Sequence, residues 1–401
     1  MIKTNVRINK KAVIFSVMVS LIYLFNYFHQ VRYGAGVSDS YYHLSYVRAL
    51  FSDGVLPKSQ QSYPLFFYFI ALFVLIFRNY TLAALLFVAI WAFASNYLQI
   101  EIIRKLSHKD NGWYVLLAGS ALSFVWPITF HALDWISGET TYWWSMLSVY
   151  LTSGASAPYH NLTYLCAKPF ALLSIYAFLS ILDSDEDKIP TRFIVTLAVS
   201  LLFSVLAKPC FYQCFAPAGT LFVVGYFIKG KYKELKKCLI IAATFVPATI
   251  WVLFSMTMKV QPIALSPFEG ITMNNSDGTN VIVILGRAIV YVLFICVCLG
   301  INKCKDNNMI LGLLIYLFGV IEWTMLIFPL EKGALDMMWG YNMAVYLFFL
   351  FAIIAAKKLY DVKHNKLLFI TANVLLAAHA ILGILMFTQP WINAYKTYIF
   401  G

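Results

Sequence analysis

A single carboxylate near the start of the chain, Asp39, has neighbours that suit it for chemistry at a membrane surface. It directly follows the first apolar run, and Tyr42, His43 and Arg48 come after it. Residues 40–51 can form an amphipathic helix that lies in the membrane interface. There, a carboxylate could accept a proton from a hydroxyl group of a lipid-borne substrate, which the three neighbouring side chains would bind. A plainer interpretation also stays open, in which Asp39 caps the helix and the aromatic residues form an interfacial belt.

The segment 131–160 carries a second group of residues suited to binding sugars. Asp134 and Glu139 stand among aromatic residues that include Trp143, and His160 ends the segment. Aromatic faces pack on the apolar side of a sugar ring, while carboxylates accept hydrogen bonds from its hydroxyl groups. We expect these four residues to bind substrate, and the alternative is an aromatic belt with solvated acids.

Two lysines stand in a repeated Ala-Lys-Pro sequence, at residues 167–169 and 207–209. We expect Lys168 and Lys208 to lie near the same membrane surface, on neighbouring antiparallel helices. A lysine within lipid is costly, and two close together repel each other unless an anion lies between them. A lipid phosphate or diphosphate would be such an anion. The alternative is that each side chain extends separately toward the headgroups.

Membrane-spanning helices must position these residues, as the composition indicates. The chain has 401 residues, of which 61% are hydrophobic and 12% charged, and its mean hydropathy is +0.75. Repeated apolar runs of about 20 residues are typical of transmembrane helices, in which every backbone polar group is satisfied within the segment. We predict an all-α polytopic bundle of about 11–13 spans, formed as one integral membrane domain over residues 1–401 without a soluble domain.

Charge and cysteine content exclude other classes of protein. The net charge of +12 comes from basic residues in short loops between apolar runs, a pattern that favours membrane lipid over nucleic acid as a partner. The seven cysteines show no zinc-finger spacing, and most fall within apolar runs, so we expect buried free thiols.

The predicted spans follow from the apolar runs. They lie near residues 12–31, 63–77, 80–103, 113–130, 162–182, 192–208, 211–228, 238–257, 282–301, 309–328, 343–357 and 367–387.

Loop charges predict the topology, with the N-terminus in the cytoplasm. Basic residues mark the inner stretches, and the outer loops are poor in them. The outer loops are 32–62, 131–160, 258–281 and 329–342. Three crossings between residues 63 and 130 would break this alternation. Either one of those runs is only re-entrant, or residues 143–155 cross part of the membrane.

The residues Asp39 to His43, followed by Gly54 to Pro57 and Tyr63 to Tyr68, resemble the start of GT-C superfamily glycosyltransferases. In that superfamily an acid follows the first span, an interfacial helix comes next, and a tyrosine-proline sequence opens the second span. Where many members have a second acid, this chain has Ser40. The segment therefore establishes no cofactor and no metal ligand, and a requirement for a divalent cation (Mg²⁺ or Mn²⁺) stays open.

The resemblance implies glycosyl transfer from a polyprenyl-linked sugar donor, on the outer face of a bacterial cytoplasmic membrane. The acceptor would be a glycan or a lipid-linked saccharide in the synthesis of O-antigen, capsule or another envelope polysaccharide. Asp39 would be the catalytic base. Glu331 and Lys332, in the last outer loop, would lie near the lipid phosphate.

Two alternatives stay open. A Wzy-type polymerase of O-antigen repeat units also transfers sugar from a lipid diphosphate, although such polymerases typically carry arginine-rich outer loops. A lipid-linked glycan flippase or other transporter would place polar residues near the midplane, whereas here they gather near the predicted outer surface. The chain has no Walker loop and no dinucleotide fingerprint, which fits an enzyme supplied with lipid-linked sugars.

Overall fold

The structure is a computed structural model that describes residues 9–33, 39–107, 112–128, 161–185, 188–230, 234–258, 263–269, 271, 281–327 and 335–400. These residues fold into a bundle of α-helices. In chain order the helices are α1 (Lys10–Tyr33), α2 (Asp39–Asp53), α3 (Leu65–Phe77), α4 (Tyr80–Leu106), α5 (Trp113–Ala121), α6 (Leu162–Leu182), α7 (Thr191–Ala207), α8 (Cys210–Lys229), α9 (Leu235–Met258), α10 (Val281–Ala288), α11 (Val290–Ile301), α12 (Asn307–Met325), α13 (Leu335–Lys363) and α14 (Lys366–Phe400).

Short elements complete the described fold. Two strands, β1 (Ala264–Leu265) and β2 (Leu326–Ile327), pair antiparallel. Two 3₁₀ turns are Lys58–Gln60 and Leu122–Phe124.

The helices confirm the prediction of an all-α, multi-pass membrane bundle. Among the described residues, eight helices are long and apolar enough to cross a membrane, or nine if the bent pair α10–α11 is one span. Every predicted apolar run forms helix over most of its length. The first predicted loop holds α2, as expected for residues 40–51.

Helices α1 and α4 run antiparallel and define the two ends of the bundle. The Ser20 hydroxyl donates to the Ala89 carbonyl (2.7 Å), and the Asn96 amide donates to the Ser16 hydroxyl (3.1 Å). We call the end at which α1 begins the N-terminal face, and the opposite end, where α1 ends, the α2 face.

Helix α3 is shorter than the helices that are long enough to cross a membrane. It has 13 residues, and its Phe66 and Phe69 rings pack against Phe87 and Trp91 in the first half of α4. The ring of Tyr80, the first residue of α4, lies under the Arg48 guanidinium of α2, so α4 starts at the α2 face. These contacts place α3 beside the half of α4 that is next to the α2 face, which is what a re-entrant run at 63–77 predicts.

Two of the predicted spans are interrupted, which corrects the continuous helices expected at 113–130 and 282–301. After α5 and one 3₁₀ turn, residues 125–128 carry no helix, because Pro127 lacks an N–H and disfavours helix at the residue before it. Helices α10 and α11 meet at Ile289 with a bend of 75°.

His379 of α14 satisfies backbone groups at both interruptions. Its Nε2 accepts from the Tyr291 N–H (3.3 Å), so the proton lies on Nδ1, which donates to the Trp126 carbonyl (2.6 Å). Beside it, the Ile128 N–H donates to the Arg287 carbonyl (3.0 Å). Non-helical backbone at membrane depth is tolerated where it is buried in protein and its polar groups are paired. His379 is thus the hydrogen-bonded core histidine of this fold.

Helix α13 is the centre of the bundle and starts earlier than predicted. Residues 335–342, expected in a loop, are helical, and side chains from Met337 to Ala356 are buried. Glycines of α12 allow close approach: a Cβ at Gly319 would lie 2.6 Å from the Ala344 Cβ. Small residues at such contacts let transmembrane helices pack closely. An all-round apolar helix that is enclosed by neighbours is typical of a bundle core.

Candidate functional site

Asp39 begins α2 and is held by Asn161, the residue that caps α6. The Asn161 side chain accepts from the Tyr164 N–H (2.8 Å) through Oδ1, as an N-cap does. Because a backbone N–H can only donate, this bond orients the amide. Its Nδ2 therefore faces Asp39 and donates to the carboxylate Oδ2 (2.6 Å). The cap of one helix positions the predicted base on another.

The same cap connects Asp39 to Lys208. The Thr163 hydroxyl donates to Asn161 Oδ1 (2.7 Å), and it accepts from the Lys208 ammonium (3.4 Å). Lys208 lies at the C-terminal end of α7 with extended backbone, as expected before a proline. A chain of hydrogen bonds thus joins the carboxylate to a lysine, through Asn161 and Thr163, at the α2 face.

Both lysines are buried, and each ammonium lies over an aromatic ring of α13. Lys208 is 7% exposed, and its Nζ is 4.2 Å from the Trp339 ring centre. Lys168 is 3% exposed, and its Nζ is 4.1 Å from the Tyr346 ring centre. Cation–π contact of this kind offsets part of the cost of burying a charge. Among the described residues, no carboxylate lies within 4 Å of the Lys168 ammonium.

The ring beneath Lys168 is fixed by a buried polar network. The Tyr346 hydroxyl donates to Gln99 Oε1 (2.6 Å). The Gln99 amide donates in turn to Asn96 Oδ1 (2.8 Å) and the Ser123 hydroxyl (2.7 Å). Hydrogen bonds between buried polar side chains are a common means of joining membrane helices. Here they join α4, α13 and the 3₁₀ turn after α5.

A second carboxylate is buried at the α2 face. Glu322, in the last turn of α12, is 6% exposed and packs against Gly340, where a Cβ would overlap its carboxylate. The α2 face therefore carries two acids, Asp39 and Glu322, and one lysine, Lys208, whereas Lys168 lies further along α6.

The other predicted residues of α2 contact rings of α3 and α4. Tyr42 is 50% exposed. His43 is buried against Phe66 and Phe67, with ring centres 5.3 and 5.8 Å away. The Arg48 guanidinium lies over an aromatic ring of α4 at 5.3 Å. The hydrogen-bonded chain to Lys208 does not run through these residues.

The remaining predicted site residues lie outside the described part of the chain. They are Asp134, Glu139, Trp143, His160, Glu331 and Lys332. Among the described residues, no group of three or more histidine, cysteine, aspartate or glutamate side chains could hold a metal ion.

The sequence interpretation missed the residues that organise the site. Asn161 could have been found from its position before an apolar run, which is a helix-start signal. Trp339 and Tyr346 are two turns apart on α13 and share its face, but an aromatic residue in an apolar run gives no sign of its partner. Gln99, a polar residue within a span, was the other available signal.

Comparison with protein-family models finds no match to this chain, and comparison with curated proteins finds no similar sequence. The functional argument therefore depends on the residues of the site.

Proposed function

We propose that the protein transfers a sugar from a polyprenyl-linked donor, with Asp39 as the catalytic base and the two buried lysines on the lipid phosphate. The observation that carries this proposal is the hydrogen-bonded chain from Asp39 to Lys208 at one end of the bundle. In this proposal the α2 face is the outer face of a bacterial cytoplasmic membrane. The GT-C resemblance, which covers roughly residues 12–105, supports the same assignment.

The proposed reaction is one displacement at the anomeric carbon. An acceptor hydroxyl forms the new C–O bond as the bond from the anomeric carbon to the lipid phosphate oxygen breaks. The acceptor proton passes to the Asp39 carboxylate. The ammonium groups stabilise the negative charge that develops on the leaving phosphate. One displacement without a covalent intermediate inverts the configuration of the sugar.

The test compares two carboxylates of the same helix. Asp39→Asn should abolish transfer of glycan, while protein level and membrane insertion stay unchanged. Asp53→Asn is the matched control, because Asp53 ends α2, is exposed and bonds only a neighbouring serine among the contacts resolved for it. Glycan synthesis that continues in Asp39→Asn would refute the proposed base.

The product in a deletion strain separates a single-sugar transferase from a Wzy-type polymerase. A polymerase predicts single repeat units on the lipid-A core instead of long chains. A single-sugar transferase predicts a missing branch or sugar.

A transporter of lipid-linked glycans is the second candidate, and the two interrupted spans favour it. Broken helices that meet within the membrane are typical of transporters. In this chain, however, the His379 ring pairs the Trp126 carbonyl and the Tyr291 N–H, so these two backbone groups are already satisfied within the protein. Glycan units that accumulate on the inner leaflet of a deletion strain would support transport and contradict transfer.

A further inference from the structure

We infer that a cavity between α3 and α9, at the α2 face, binds the prenyl chain of a lipid whose phosphate lies at Lys208. The choice of this lipid rests on the proposed function, whereas the position and lining of the cavity do not. The cavity has a volume of about 500 Å³, which is within the usual range of ligand pockets, about 300–1,000 Å³.

Four segments of the chain enclose the cavity. They contribute Leu56 after α2, Leu65 of α3, Leu206 of α7 and Trp251 of α9. The direction of α9 follows from its first turn, where the Lys237 ammonium donates to the Leu182 carbonyl at the far end of α6 (3.0 Å). Helix α9 therefore ends at the α2 face, and its last residue, Met258, also lines the cavity.

The cavity adjoins Lys208 along two segments. Leu206, in its wall, is two positions before Lys208 at the end of α7. Pro64, also in its wall, follows Tyr63, whose ring centre is 6.0 Å from the Lys208 Nζ. A lipid phosphate that bonds this ammonium would therefore place the start of its hydrocarbon chain beside the cavity.

One side of the cavity faces the bilayer. Tyr68 of α3 and Val55, both in its wall, are each 54% exposed. Leu72, one turn further along α3, and Phe254 of α9 are exposed as well. Lipid tails are as apolar as such side chains and cover them in a membrane. A hydrocarbon chain can therefore enter the cavity sideways without passing through water.

The lining suits a hydrocarbon chain of limited length. The Trp251 indole donates to the Ser62 carbonyl (3.0 Å), and the Gln61 amide donates to the Leu56 carbonyl (2.8 Å). These two polar side chains of the wall are thus engaged with backbone groups, while the Trp251 and Tyr68 rings offer apolar faces. An apolar cavity of roughly 150 Å³ holds the six carbons of benzene. By that measure about 500 Å³ holds about 20 carbon atoms, or about four isoprene units.

A prenyl chain suits this cavity better than the acyl chain of a bulk phospholipid. No hydrophobic gain accompanies the move of either chain from lipid into the cavity, so packing and chain entropy decide the preference. The double bonds of a prenyl chain leave fewer rotatable bonds to order on binding. Its methyl branches add contacts with the ring faces.

A second apolar groove provides the comparison. It lies between α1 and α4 and has the same volume, about 500 Å³. Its wall consists of leucine, phenylalanine and alanine side chains, among them Leu85. None of these lining residues belongs to the hydrogen-bonded chain from Asp39 to Lys208. We expect only bulk lipid there.

The experiment photolabels the full chain in nanodiscs of zwitterionic lipid. The probe is geranylgeranyl monophosphate with a diazirine at the end of its chain. Mass spectrometry should find the label on residues of the cavity, such as Tyr68, Trp251 and Met258. Unlabelled geranylgeranyl monophosphate should compete at a concentration at least about threefold lower than hexadecyl phosphate, whose straight chain has a similar length.

Two variants locate the chain. Leu206→Trp fills the cavity and should abolish the label on Trp251 and Met258. Leu85→Trp is the matched control, since it fills the second groove, and it should leave that label unchanged. Size-exclusion chromatography checks the fold, and Leu206→Phe replaces the tryptophan variant if that variant aggregates.

A third variant tests the link to the phosphate. Lys208→Met should weaken competition by geranylgeranyl monophosphate at least about tenfold. It should leave competition by geranylgeraniol unchanged, because the alcohol carries no charge.

Four results would overturn the inference. They are a label spread evenly over the lipid-facing helices, equal competition by hexadecyl phosphate, a label that survives Leu206→Trp, and equal loss of the label in Leu85→Trp. Equal competition by geranylgeraniol and its phosphate would overturn the contact with Lys208.

One further arm separates the cavity from the proposed function. Asp39→Asn should lose transfer and keep the label in the cavity. Transfer that is lost in this variant, with no label in the cavity of either protein, overturns the cavity alone. Transfer that continues in it, with the label in place, overturns the proposed base alone.

Discussion

Replacement of Asn161 tests whether the helix cap also holds the predicted base. Asn79 provides the comparison, since it caps α4 through its Oδ1 and the Leu82 N–H (2.9 Å) without a contact to an acid in that bond. Loss of an asparagine cap costs about 1 kcal/mol of the free energy of unfolding. Asn79→Ala should therefore cost about 1 kcal/mol.

Asn161→Ala should lower the free energy of unfolding more than Asn79→Ala does, because it removes two interactions. Beyond the cap, it removes the hydrogen bond from Nδ2 to the Asp39 carboxylate (2.6 Å). A hydrogen bond to a charged group contributes roughly 1–3 kcal/mol, with membrane proteins near the lower end. We expect a total of about 2–4 kcal/mol. Asn161→Ser should keep the cap, because serine is a good N-cap, but its short side chain should lose the Asp39 bond.

The assay is equilibrium unfolding in lipid bicelles, with a double-mutant cycle of Asn161→Ala and Asp39→Ala. The cycle should give a coupling of about 1–2 kcal/mol. Equal costs for Asn161→Ala and Asn79→Ala, with a coupling below about 0.5 kcal/mol, would refute the argument.

Two other predictions concern the interrupted spans. Gly383→Ala should destabilise the protein by about 1–3 kcal/mol, because its Cβ would overlap the Phe124 carbonyl. Gly225→Ala, where a Cβ meets no atom within 4 Å, should be neutral or stabilising in the same unfolding assay. Equal effects of the two would show that Gly383 is not a contact point. His379→Leu should lower the free energy of unfolding by about 2–6 kcal/mol, since it removes the partner of the Trp126 carbonyl and of the Tyr291 N–H. A change under about 1 kcal/mol would contradict that role.

At the α2 face, the sequence predicted the charged residues of the candidate site but not the residues that connect them. Lys168 and Lys208 were chosen because a lysine within lipid is costly, and Asp39 because an amphipathic aromatic stretch and a GT-C-like sequence surround it. The structure brings Asp39 and Lys208 together, but through Asn161 and Thr163, which no charge pattern indicated. The contact between Asp39 and Asn161 joins residues 122 positions apart.

The sequence by itself determined that this is a polytopic helical membrane protein, and it located the helices. Both properties are local, because a run of apolar residues must pair its own backbone groups in lipid. Only the tertiary structure decided that α3 packs beside one half of α4, that α10 and α11 meet at a bend of 75° beside His379, and which aromatic ring lies beneath each lysine. These features depend on contacts between distant segments, such as the bond from Tyr346 to Gln99 across 247 positions. Such contacts arise only when the helices pack, so no local pattern of residue types encodes them.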